Sequence, residues 1–207
     1  MQQLLSDSRQ QTFVPAQAAG FDFTSRMRLL CADIVARTPD LAHVDLSRIA
    51  LTFSQARKGV SWGMYASLTP LRFAGGSRTT IRRGRQYQVQ PIVDGSGREM
   101  LYLLSFYLPR FMNLEFREKL ITIFHELWHI GPEFDGDLRR HEGRCFAHTH
   151  SQAEYDRQMG IIADRWLAQS PEPELWSFLQ HDFSKLHTAA GPIFGLRVKR
   201  PKLVPIT

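Results

Sequence analysis

Two histidines four residues apart, His125 and His129, flank Glu126 in an H-E-x-x-H array within the stretch 113–132. On a helix, positions i and i+4 stand one turn apart on one face, so the two imidazoles can grip a single Zn²⁺. Glu126 then lies where a carboxylate can take a proton from a water polarised by the metal as it attacks a peptide carbonyl. The neighbouring residues favour a helix. Asn113 is a good N-cap, and Glu115 and Glu118 bring negative charge to its N-terminal end. Leu120, Ile121, Phe124, Leu127 and Trp128 supply an apolar surface. Gly131 suits the left-handed position after a helix, and Pro132 stops its continuation. The plainer alternative is a surface helix that carries two ordinary histidines.

A catalytic zinc usually takes three protein ligands and leaves a fourth position open. His141 is the first choice for the third, because the loop after Gly131 can fold back and a small residue, Gly143, stands close by. Glu154, His148 and His150 remain alternatives. Glu154 has a competing role in a Ser151-x-x-Glu154 capping box. The longer metzincin pattern fails, since Pro132 stands where its glycine should be and Asp135 where its last histidine should be. Asp135 and Asp137 are expected to shape a turn around Gly136. Cys145 is near the histidines but lacks a C-x-x-C partner. Donors for a developing oxyanion are sought among His148, His150, Tyr155 and Arg144. Tyr155 also falls on an apolar helical stripe, and His148 and His150 suit a solvated loop.

His125-Glu126-Leu-Trp-His129-Ile, followed by Phe134-Asp-Gly-Asp-Leu-Arg-Arg-His141, resembles the phage-type metallopeptidase family. More distantly the chain is similar to SprT-like zinc metalloproteases, whose second motif has a His, a nearby Gly and a Phe; here these are His141, Gly143 and Phe146. Glu142 departs from the SprT-like pattern, which carries Gly directly after the His. The resemblance covers about residues 99–167. It implies a minimal zincin-like core, zinc on His125, His129 and His141, and Glu126 as general base.

The elements that must position these groups read as α+β. Residues 22–37 form an amphipathic helix, with Phe23, Met27, Leu30 and Ile34 on one face. Residues 49–53, 61–73, 79–83, 86–90 and 99–108 read as strands. They are punctuated by Gly59, Pro70, Gly75-Gly76, Gly84 and the Asp94–Gly97 turn. The 99–108 strand is the most apolar and therefore central. The connections are too short for helical crossovers, so the sheet is expected to be small and mostly antiparallel, packed on the motif helix and further helices. A helix opens at Ser151, with Tyr155, Met159, Ile162 and Trp166 on a stripe, and a last helix covers 174–183.

The 207 residues, 43% of them hydrophobic, suit one compact domain over 20–195. Residues 1–19 are expected to be a flexible tail and 196–207 a basic one. No apolar run approaches the ~18–20 residues of a membrane span. The polar N-terminus has no secretory apolar region, and Cys31 and Cys145 read as free thiols, so a cytoplasmic location is expected. The net charge of +6 favours polyanions. Arg82, Arg83 and Arg85, with Tyr87 nearby, are candidate contacts for weak, non-specific DNA binding; their plainer role is a solvated hairpin. The leading expectation is a zinc-dependent peptidase acting on a protein or peptide. Its rivals are a non-catalytic, zinc-stapled nucleic-acid-binding module and a hydrolase of some other amide.

Overall fold

The structure, a computed structural model, describes residues 20–55, 63–140 and 152–206. The chain runs β1 (Phe21–Asp22), α1 (Phe23–Arg37), β2 (Ile49–Gln55), β3 (Ala66–Pro70), β4 (Thr79–Arg82), β5 (Arg85–Val89) and β6 (Tyr102–Leu108). It continues through α2 (Phe116–Trp128), α3 (Gln152–Ala168), α4 (Pro173–Trp176), α5 (Phe183–Ala190), β7 (Ile193–Phe194) and β8 (Leu203–Pro205). The class is α+β, with three small sheets among the described residues. No helix among them is long and apolar enough to cross a membrane.

The Phe23, Met27, Leu30, Ile34 stripe is fully buried, as its spacing predicts. Asp22 caps α1 by accepting from Ser25 N at 3.0 Å. Phe23 lies at the centre of the core, where its ring meets Phe53, Phe106, Phe111 and Phe178 at 5.8–6.5 Å, mostly edge-on. The apolar β6 is indeed central, in the order β2-β6-β3. This sheet is mixed rather than mostly antiparallel. β3 pairs antiparallel with β6, but β2 pairs parallel with it over Ile49↔Tyr102 to Gln55↔Leu108. Among the described residues, β3, β4 and β5 lie along the chain between β2 and β6. β4 and β5 form a separate antiparallel hairpin. The basic C-terminal stretch contributes β8, which adds to the outer edge of β5 through Tyr87↔Pro205 to Val89↔Leu203. Thr52 fastens the segment before it, donating to Leu196 O and accepting from Val198 N.

α2 is held by burial, not by its ends. Leu120, Ile123, Phe124 and Leu127 are at most 1% exposed. Each such side chain is worth about 1.5–3 kcal/mol, which together exceeds the ~1 kcal/mol of a side-chain cap. The expected cap at Asn113 does not form. The helix begins after Glu115 with no side-chain cap bond, and Asn113 Oδ1 instead accepts from Phe183 N at 3.1 Å. Gly131 is not left-handed either. The helix ends at Trp128, and a Cβ on Gly131 would stand 3.2 Å from Asp137 O, so its smallness serves a close backbone approach. The expected 174–183 helix is broken. α4 passes into a 3₁₀ turn over Ser177–Gln180, and Asp182 caps a separate α5 by accepting from Lys185 N at 2.7 Å.

Lys119, on α2, is only 2% exposed and donates to Leu179 O at 2.8 Å and His181 O at 2.7 Å. It therefore supplies the donors that the end of the 3₁₀ turn lacks. Burial lowers its pKa from 10.5 to about 8. Lys119→Met strands two buried carbonyls and is expected to cost about 2–4 kcal/mol in urea unfolding. The unfolded chain binds more protons between about pH 8 and 10.5, so stability rises with pH in that window. The advantage of wild type over Lys119→Met should accordingly widen there.

Candidate active site

The three chemical residues of the array are aimed by the packing of α2 between the β2-β6-β3 sheet on one side and α3 on the other. His125 and His129 share one face, with ring centroids 4.7 Å apart and planes at 78°. Tyr155 of α3 packs against both rings, at 4.6 Å from His125 and 6.0 Å from His129. It thus belongs to the expected apolar stripe, at 7% exposure, and to the histidine site as well. Burial holds its phenol well above the ordinary range, so the hydroxyl stays protonated and able to donate. Asp156 follows on the same helix, with Oδ1 3.3 Å from His125 Nδ1.

Glu126 lies against β3. It is 9% exposed, and the nearby Leu68 backbone N–H favours its charged form. Burial pushes its pKa up to about 7, against the smaller opposing effect of that N–H. His125, Glu126 and Asp156 line one cleft of about 250 Å³, together with Tyr65 and Ala66 at the start of β3 and Ile121 and Thr122 of α2. Exposed Glu118 stands on its rim.

The chain leaving α2 turns back on the helix. Ile130 bridges Leu138, and Arg139 N donates to His129 O at 2.7 Å. The Arg139 guanidinium lies over the Trp128 ring at 4.5 Å and bonds Trp128 O at 2.8 Å. Asp135 and Asp137 shape the turn around Gly136, as expected: Asp135 Oδ1 accepts from Asp137 N, and Gly136 takes φ +93°. The Tyr102 hydroxyl, at the start of β6, ties the turn down by donating to Asp137 O at 2.8 Å and accepting from Gly136 N at 3.1 Å.

Of the other sequence candidates, Glu154 is exposed on α3 and makes a two-pronged ion pair with Arg157, at 2.9 and 2.7 Å. Ser151 of the expected capping box lies outside the described residues, as do His141, Gly143, Arg144, Cys145, Phe146, His148 and His150. Arg82, Arg83 and Arg85 stand on the β4–β5 hairpin, not in the cleft. Asp156 is the partner that sequence reasoning missed. The signal for Asp156 lay in Gly160 and Ala163, small residues four and seven positions on. They mark the face of α3 that approaches α2 closely: a Cβ on Gly160 would meet the Arg117 guanidinium at 2.7 Å.

Among the described residues, no three His, Cys, Asp or Glu side chains form a metal-binding group. The chemistry of the donors present nevertheless fits a zinc site lacking one ligand. Two imidazoles lie close enough to share an ion, and a carboxylate bonded to one ring nitrogen fixes the tautomer and leaves the other nitrogen for metal. Comparison of the chain with protein-family models, with curated proteins and with solved structures yields no match.

Two substitutions check this arrangement. Asp156→Ala should weaken zinc binding by about 10–100-fold in competition with a chromophoric chelator. Tyr102→Phe, which removes the hydroxyl that secures the returning turn, should lower unfolding stability by about 1–3 kcal/mol.

Proposed function

We propose that the protein is a zinc-dependent peptidase built on a minimal zincin-like domain. The observation that carries this reading is the position of Glu126: a buried carboxylate that lines a solvent-open cleft together with His125, whose ring packs against His129 on the same helix face. A purely structural zinc site has no use for such a group. That weighs against the rival, a non-catalytic zinc-stapled nucleic-acid module.

His125, His129 and His141 are the ligands in this reading. His141 is favoured over His148 and His150 because Arg139, two residues before it, is bonded to the backbone of His129 itself. A bound Zn²⁺ would supply Lewis acidity and lower the pKa of an attacking water. Asp156 holds the His125 ring in one orientation. Glu126 accepts the proton of the nucleophile and passes it to the departing amine. β3 is an edge strand whose Tyr65–Ala66 end lines the cleft, so an extended peptide can pair along it.

Glu126→Gln should retain zinc and lose hydrolysis of a denatured protein substrate by about 10²-fold or more. Activity surviving that change would remove the reading. Metal content by mass spectrometry should fall in both His125→Ala and His141→Ala; full retention in the latter would move the third ligand to another side chain.

A further inference from the structure

The net positive charge of this protein comes from two segments. Residues 78–93 and 194–207 contain eight of the 26 basic residues and none of the 20 acidic ones, so the rest of the chain is net negative by two. These two segments are far apart in sequence, and the fold joins them: β8 zips onto β5, beside the β4–β5 hairpin. Elsewhere arginines are commonly paired, as Arg37 with Asp33, Arg98 with Asp94 and Arg117 with Asp164. On this sheet Arg78 is held by Glu99, but among the described residues Arg82, Arg83, Arg85, Arg200 and Lys202 are exposed with no ion pair.

The hairpin geometry sharpens the point. Arg82 and Arg85 are directly opposed in the ladder, a like-charge pair that disfavours the free hairpin. Arg83 occupies the turn at φ +50°, ahead of Gly84 at φ +73°, where Asn would be the favoured residue. Three guanidiniums are thus gathered at one end of the hairpin, against both the electrostatics and the turn preference of the isolated strand pair. A bridging anion relieves the repulsion, and the planar fork of Arg matches phosphate oxygens. Tyr87 shares the face of Arg82 and Arg85 in the strand alternation and is half-buried, with an aromatic surface on which a base can stack.

We propose that the β4–β5–β8 sheet is a docking surface for nucleic acid, engaged through the phosphate backbone without sequence preference. The hairpin arginines form one end of the track and the 199–202 stretch the other. Regularly spaced phosphates fit an elongated row of unpaired cations, and Tyr87 favours a strand with bases over a phospholipid surface.

The test is fluorescence anisotropy of a labelled single strand of about 30 nucleotides, titrated with the full chain across a salt series. Three proteins are compared: wild type, the hairpin variant Arg82→Gln/Arg83→Asn/Arg85→Gln, and the control Arg26→Gln/Arg165→Gln/Lys185→Gln. The two variants lose equal charge, and Asn before Gly84 preserves the turn. Wild type should bind at about 50 mM salt, with affinity falling steeply as salt rises. The hairpin variant should lose about tenfold or more in affinity, and about 2 from the log–log salt slope if three phosphate contacts go. The control should change far less. Absence of binding by wild type at low salt, or equal losses in the two variants, would overturn the proposal. So would retention on phosphatidylglycerol vesicles without retention on the oligonucleotide.

Discussion

The constraint on which the site depends is the enclosure of α2. With Leu120, Ile123, Phe124 and Leu127 sealed between sheet and helix, the rotation of α2 about its own axis is fixed. Slipping it by one position would expose several of these side chains, at about 1.5–3 kcal/mol each. His125, Glu126 and His129 inherit that rotation. The same packing that turns both imidazoles toward Tyr155 and Asp156 sets Glu126 beside Leu68. The burial of Glu126, and hence its raised pKa, is therefore a consequence of where the apolar face of α2 must go.

A second restraint acts from the other end of the helix. The turn over 131–139 is anchored to β6 through Tyr102 and to the last turn of α2 through Arg139. Arg72 N also bonds Gly136 O at 3.1 Å, and Gly75 N bonds Asp137 Oδ2 at 3.1 Å, so the segment after β3 clasps the same turn. Strand, turn and helix end are bonded into one unit, which returns the chain to His129 rather than letting it run outward.

Local periodicity was the most legible part of the sequence. The α1 stripe, the apolar β6 and the hairpin around Gly84 each announce themselves within about ten residues, because their patterns depend on near neighbours. The H-E-x-x-H pair was legible for the same reason. Long-range pairing was not. The parallel β2–β6 ladder joins segments about 50 residues apart, and nothing in either strand encodes its partner's direction. β8 reads as a basic tail because the strand is only three residues long and ends in Pro205, which its seat at the sheet edge makes tolerable. Asn113 has the composition of a cap, but it serves α5 instead of the helix it precedes. Glu154 and Asp156 illustrate the same limit. Both are carboxylates in the first turns of α3, and only the helical phase, set by Gly160 and Ala163 packing toward α2, decides which one meets His125.

The charge distribution sorts what can approach each part of the molecule. The cleft is lined by three carboxylates, Glu118, Glu126 and Asp156, whereas residues 78–93 and 194–207 carry no acid at all. A polyanion therefore meets repulsion at the cleft and attraction at the sheet, and the interaction is strongest at low ionic strength, where the Debye length spans more of the surface. A cationic peptide meets the reverse. Because β4, β5 and β8 contribute nothing to the lining of the cleft, occupation of the basic sheet leaves that opening free. The fold keeps the two fields apart by routing β3 and β6 to the motif helix while the hairpin between them and the C-terminal strand build a sheet of their own.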